Sequence, residues 1–308
     1  MSIPEDAEKL YTSLFNSETE DQKDQGVIDV TIRYDNSRRL ALKKYYDAVY
    51  AEKSFDEDIK SQLSGHLYDL VNYLYMNPIE YDCLEFNNSI NKITYNTDNV
   101  YELVTARPKW FLEKVKEKYN ELYKQNLPNE IEKKIGAIVG KRLKELFDIE
   151  RTVNKNPDPT ECEAIAKELS TYVVSDWIKE DKLFNYFATK SPEELILIGR
   201  FYYKITGMPL TIVIEEKATD DDEKLFLTEL LYNACRPAEL FSKKVKTAIH
   251  GLGTDTNALN RIAVTRNEID TTMIRKFYKY YYRVNLQDDI VGDTSGGYQT
   301  LLCELFSK

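Results

Sequence analysis

Two short segments near the C-terminal end carry the residue types that hold a hard cation. Gly251-Leu252-Gly253-Thr254-Asp255 sets two glycines one residue apart, and Asp293 follows 42 positions after Gly251, inside Gly292-Asp293-Thr294-Ser295-Gly296-Gly297. Glycine permits backbone with positive φ, which can turn carbonyl oxygens toward one point. A carboxylate from a later loop can close an oxygen shell around that point, as calcium requires. The plain alternative is a glycine-terminated helix and an unrelated loop aspartate, and two motifs at this separation weigh against it. Thr254 and Asp255 are expected to cap the helix that follows. This is the chemistry of holding an ion at a surface rather than of making and breaking bonds.

Other chemistries find little support. His66 and His250 are the two histidines, and neither has a cysteine or serine arranged beside it for nucleophilic catalysis. Gly136-Ala137-Ile138-Val139-Gly140-Lys141 has one residue too few for a phosphate loop, and Arg142 stands where a serine or threonine would reach magnesium. No EF-hand loop is present. Cys83, Cys162, Cys235 and Cys303 form no C-x-x-C pair, so they read as reduced, partly buried thiols rather than a zinc site or a disulfide framework. The chain holds 42 Lys and Arg against 52 Asp and Glu, a formal charge of −10. Unaided attraction to nucleic acid or to an anionic bilayer is therefore not expected, and a membrane contact would need a cation as bridge. The acidic start, Met1-Ser2-Ile3-Pro4-Glu5-Asp6, does not read as a signal peptide. No apolar run spans a membrane and no lipidation motif is seen, so the expected location is cytoplasmic.

The elements that must position Asp293 read as helices. Leu240, Phe241, Val245 and Ile249 mark one apolar face. Ala258, Leu259, Ile262 and Ala263 mark a second helix, and Met273, Ile274, Phe277 and Tyr281 a third. Leu286 and Ile290 mark a short fourth, and Tyr298, Leu301, Leu302 and Leu305 a fifth. Related punctuation recurs at Ala106-Arg107-Pro108, Thr189-Lys190-Ser191-Pro192 and Thr265-Arg266-Asn267, with a weaker version at Arg33-Tyr34-Asp35-Asn36. Ser191, Pro192 and Glu194 have the pattern of a capping box, and Asn267 and Asp270 are expected to cap in a similar way. Pro157 and Pro159 make residues 148–159 a stiff, extended connector. The fold class is all-α: four repeats of about five helices each.

The segment from Arg236 to Phe306 closely resembles the fourth repeat of the annexins. The likeness rests on Gly251-Leu252-Gly253-Thr254-Asp255, Arg261-Ile262, Thr265-Arg266-Asn267-Glu268-Ile269-Asp270 and Asp289-Ile290-Val291-Gly292-Asp293-Thr294-Ser295-Gly296. The divergence of the other repeats resembles the alpha-giardins, a protist branch of that family. The resemblance implies a slightly curved disc whose calcium loops dock on acidic phospholipid. It implies calcium ligands at the carbonyls of Ile249, Gly251 and Gly253 and at both oxygens of Asp293. Water or a lipid phosphate would complete the six to eight oxygens calcium takes. It implies repeats at 1–77, 78–147, 161–236 and 237–308, with the connector at 148–160.

The first three repeats depart from the pattern. Glu20-Asp21-Gln22-Lys23 stands at the first loop of repeat I, and Gln62 in place of its acid. In repeat II, Lys92-Ile93-Thr94-Tyr95 replaces the glycines and Ala137 the acid. In repeat III the loop near Val174-Ser175-Asp176-Trp177 lacks glycine, and Trp177 is either a membrane-facing indole or a core residue. Glu215, Glu216 and Asp220-Asp221-Asp222-Glu223 read as a solvated acidic loop, with a weaker calcium site at Glu216 or Asp220 as the alternative. The expected function is calcium-dependent, non-enzymatic binding to acidic, phosphatidylserine-like membranes at the inner face of the plasma membrane. Self-association or cytoskeletal or flagellar proteins would reinforce the single strong contact. The alternative is a structural cytoskeletal scaffold whose membrane site is vestigial.

Overall fold

The computed structural model describes every residue except 1, 51–53, 92–95, 172–180, 219, 252 and 308. Lys92-Ile93-Thr94-Tyr95 and Val174-Ser175-Asp176-Trp177 therefore lie outside the described residues, as does Leu252. Among the described residues there are twenty α-helices and no strand, arranged as four repeats of five. Repeat I holds α1 (Ile3–Asn16), α2 (Glu20–Thr31), α3 (Asn36–Tyr50), α4 (Phe55–Gln62) and α5 (Gly65–Leu74). Repeat II holds α6 (Pro78–Asn91), α7 (Thr97–Thr105), α8 (Lys109–Tyr123), α9 (Leu127–Ile135) and α10 (Ala137–Glu145). Repeat III holds α11 (Pro159–Thr171), α12 (Lys182–Thr189), α13 (Pro192–Thr206), α14 (Leu210–Lys217) and α15 (Asp221–Cys235). Repeat IV holds α16 (Pro237–Ile249), α17 (Thr256–Arg266), α18 (Thr271–Tyr282), α19 (Leu286–Asp293) and α20 (Gly296–Ser307).

The chain packs as two units. Unit 1 joins Met1–Tyr81 to Phe241–Lys308, and unit 2 is Asp82–Leu240. Unit 1 is fastened by a buried arginine. Arg39 donates from Nε to the Thr31 carbonyl at 3.0 Å and from Nη1 to Glu268 at 3.2 Å, and Glu268 also accepts from the Asn36 amide. Close approach of α20 to α2 depends on Gly297, where a Cβ would fall 2.6 Å from an Asp24 oxygen and 2.7 Å from Leu67.

In unit 2, Arg142 is buried on α10 and pairs with Asp181 at 2.7 Å and Glu223 at 3.6 Å. The phosphate-loop-like segment thus lies across a helix–helix turn. The connector runs without helix from 146 to 158, pinned by Thr152 to the Thr189 carbonyl and by Arg151 to the Lys190 carbonyl. The capping box at α13 forms: Ser191 Oγ accepts from the Glu194 amide at 3.2 Å, and Glu194 accepts from the Ser191 amide at 2.9 Å.

Several local expectations change. Glu20 to Lys23 are not a loop but the first turn of α2, capped by Thr19, whose hydroxyl accepts from the Gln22 amide. Acidic residues suit that place because they oppose the positive end of the helix. The acidic run in repeat III is likewise a helix start rather than a solvated loop. Asp220 caps α15, Asp222 accepts from the Tyr101 hydroxyl, and Glu223 is buried beside Arg142. Glu215 and Glu216 lie exposed on α14. Asp270 does not cap α18, because both its oxygens pair with the Arg266 guanidinium. Two charge-assisted bonds outweigh one amide bond. Asn267 closes α17 at its C-terminal end, donating to the Ala263 and Val264 carbonyls. On α18 the buried face is Thr271, Ile274 and Tyr278, while Met273 and Tyr281 are exposed. All four cysteines are free thiols in helices.

Candidate metal centre

The site is built where two helices end. α16 closes at Ile249, with the His250 amide still reaching the Lys246 carbonyl. The chain then turns back, and the Asp255 amide donates to the Ala248 carbonyl at 2.9 Å. Asp255 caps α17 by accepting from the Ala258 amide at 3.0 Å, as its position suggested. Gly253 makes the turn, at φ +85°, a conformation that side chains disfavour. Gly251 has no positive φ, and a Cβ there would meet the Thr247 and Gly253 carbonyl oxygens at 3.4 and 3.5 Å. The two glycines therefore differ: one is needed for the turn, and the other leaves room around a carbonyl.

Asp293 is the last residue of α19. Thr294 and Gln299 fasten this end, Thr294 by its amide and hydroxyl to the Ile290 carbonyl and Gln299 by its side chain to the Val291 carbonyl. Thr254 joins the two loops. Its hydroxyl lies 2.6 Å from Asp293 Oδ2 and 3.1 Å from the Asp293 carbonyl oxygen. The side chain expected to share the capping of α17 is instead the link between the glycine turn and the acid.

A second tie lies one helical turn earlier. Asp289 Oδ2 accepts from Lys246 and His250 at 3.0 Å each and from the Tyr278 hydroxyl at 2.5 Å. Burial would raise the Asp289 pKa, but these bonds hold it down to about 2. Burial and the bond to Asp289 push the Tyr278 phenol well above its usual value. His250 and Asp289 have roles that reading the sequence did not assign. The available signal was the four-residue spacing of Asp289 and Asp293, which puts both on one face of α19.

The donor set fits a hard cation. Among the described residues, no hydrogen bond ends on the carbonyl oxygens of Ile249, Gly251 or Gly253, or on Asp293 Oδ1. The C-terminal ends of α16 and α19 meet here, and helix C-termini favour positive charge. No cluster of three or more His, Cys, Asp or Glu exists among the described residues, so a softer, side-chain-only metal site is not offered. A cavity of about 670 Å³ opens beside Asp293, lined also by Thr256, Ser295, Lys23, Gln62 and His66.

The other repeats lack this arrangement where they are described. In repeat I, α1 and α2 are separated by residues 17–19 alone, and α4 ends on Gln62, which donates to Ser61. In repeat II the acid position is not Ala137, which opens α10 after Gly136. The matching end of α9 carries Lys133 and Lys134, which repel a cation.

Comparison with known proteins finds likenesses to annexins. Residues 241–305 match the annexin family profile. Over 302 residues the chain is 28% identical to human annexin A3, covering 97% of this chain and 92% of that protein. Over 308 residues it is 28% identical to mouse annexin A6, covering 98% of this chain but 44% of that protein, so it spans less than half of annexin A6. The solved structure of annexin III superposes with a TM-score of 0.89 at 26% identity, covering 100% of this chain and 94% of that one. Calcium-bound alpha-14 giardin superposes at 0.82 with 17% identity over 99% of each chain, a likeness of fold alone. The likeness is to annexins in general and does not single out the giardin branch.

Proposed function

We propose that this chain is an annexin and a peripheral membrane protein that docks on acidic phospholipid through one calcium ion held in repeat IV. The carbonyl oxygens of Ile249, Gly251 and Gly253 and the carboxylate of Asp293 would hold the ion. Bound calcium would supply the positive charge that a chain of net charge −10 needs to approach an anionic surface. The observation that carries the reading is the Thr254–Asp293 bond, which brings the acid to a turn whose carbonyls have no described internal partner. Thr254 uses one acceptor site of Asp293 Oδ2 and leaves the other, so its bond can persist while both carboxylate oxygens face the ion.

No helix among the described residues is long and apolar enough to cross a membrane, which agrees with peripheral attachment. The inner face of the plasma membrane and the cytoskeleton are the proposed locations. A single site favours reinforcement by self-association or a protein partner. The cytoskeletal scaffold reading draws its support from repeat I, where residues 17–19 leave no room for a carbonyl-presenting turn.

The test is co-sedimentation with phosphatidylserine vesicles across a calcium titration. Wild type should pellet with calcium and Asp293→Ala should not. Equal pelleting of both would move the site elsewhere, and no pelleting of either at millimolar calcium would leave the scaffold role.

A further inference from the structure

Unit 2 contains a second cavity, remote in sequence from Asp293. It has a volume of about 430 Å³ and lies between α13, α14 and α15. Its walls include Leu195, Ile196, Leu210 and Leu231, with Tyr203 standing 55% exposed at its edge. The charged residues lining it are Arg200 and Arg236, and no carboxylate does so. In a chain of net charge −10, an apolar cleft whose charges are two arginines is unusual. Arg200 has no ion pair or hydrogen bond among the described residues, and Arg236 is paired only loosely, with Glu239 at 3.5 Å.

Gly199 is the second observation. It sits in the interior of α13, where glycine is disfavoured, and it has no positive φ to require it. Packing does not require it either, because a Cβ built there meets nothing within 4 Å. What its missing side chain leaves is open space in the cleft wall.

We propose that this cleft binds a long-chain fatty acid, with the acyl chain along the leucines and the carboxylate between Arg200 and Arg236. The volume falls within the range of small-ligand sites, roughly 300 to 1,000 Å³. A peptide helix about 10 Å across would need more room for two turns. A guanidinium fork matches a carboxylate, and a single carboxylate is the smallest head that completes such a ligand.

The experiment is displacement of a fluorescent fatty acid from the full chain by palmitate, without calcium or vesicles. Gly199→Leu places a side chain in the cleft and improves helix propensity, so it should fold while weakening palmitate at least tenfold. Arg200→Ala with Arg236→Ala should weaken palmitate about tenfold, the loss of charge-assisted bonds, and leave hexadecanol unchanged. Asp293→Ala should change nothing, which separates this site from the calcium reading. The proposal is overturned by absence of saturable displacement or by full affinity in Gly199→Leu. Equal loss for palmitate and hexadecanol also overturns it, as does displacement by lysophosphatidate or an acidic amphipathic peptide but not by palmitate.

Discussion

Repeats I and IV lie in the same unit and share a frame, yet the residues proposed to hold a cation in repeat IV have no counterpart in repeat I. Their second loops share a plan. Three residues after Gln62 and three after Asp293 comes a glycine of positive φ, Gly65 at +57° and Gly296 at +64°, opening the next helix. Behind each loop a tyrosine hydroxyl bonds an aspartate four residues before the site position, Tyr46 to the buried Asp58 and Tyr278 to the part-buried Asp289. The first loops diverge. Repeat IV turns through residues 250–255 with a glycine at φ +85°, whereas repeat I passes from α1 to α2 through residues 17–19 and caps at Thr19. The frame persists without the ion-holding parts, so packing alone is enough to maintain it.

The largest expected effect is at Asp293. Its change to alanine should raise the calcium needed for half-maximal vesicle binding by more than tenfold with little change in Tm, since its described side-chain bond is the one to Thr254. Next come the glycines. Gly253→Val should cost on the order of 1–3 kcal/mol of stability and weaken calcium binding, because the site needs positive φ there. Gly251→Ala should fold normally and lower calcium affinity less, and calorimetric titration with denaturant melts separates the two. An equal effect of both would mean that carbonyl crowding, not backbone strain, sets the affinity.

A smaller effect concerns acid. The Asp289 carboxyl sits at about 2 when folded, against an ordinary value of 3.8. Its folded value is depressed, so its stabilisation is fully present above pH 4 and is lost as pH falls toward 2. Asp289→Asn should cost about 1–3 kcal/mol near neutral pH and flatten the acid limb of the stability curve, measured by urea melts from pH 5 to 2. The smallest effect is expected for Gln62→Glu. Restoring the acid alone in repeat I should add no calcium binding by titration, because residues 17–19 present no turn opposite it. A second binding event in that variant would break the comparison.

Much of the fold was legible because its signals are local. Apolar spacing gave the helices of repeat IV, and Ser191 with Glu194 gave a helix start that forms as expected. The glycine turn and Asp293 were legible as a pair by their separation and by family resemblance. What could not be read were choices between partners. Thr254 could cap α17 or reach Asp293, and only the fold brings the acid to it. Asp270 could cap α18, but Arg266 lies one helical turn away with two donors. Glu20 to Lys23 and Asp220 to Glu223 are polar enough for loops and acidic enough for helix starts, and sequence alone does not rank the two. Met273, Ile274, Phe277 and Tyr281 mark α18 but do not single out its buried face, because its aromatic residues lie on both faces, and the buried Tyr278 is the one that meets Asp289.

Unit 1 is made from the two ends of the chain, with all of unit 2 encoded between them. During synthesis, Met1–Tyr81 emerges well before the Phe241–Lys308 segment that completes its core. The usual order, in which N-terminal parts fold first, is therefore expected to be inverted here. Unit 2 can be finished on the ribosome while α1 to α5 wait, with Arg39 still lacking Glu268. Closing so distant a contact is slow. A nascent chain stalled before Phe241 should expose its first repeat to protease while its middle is already resistant.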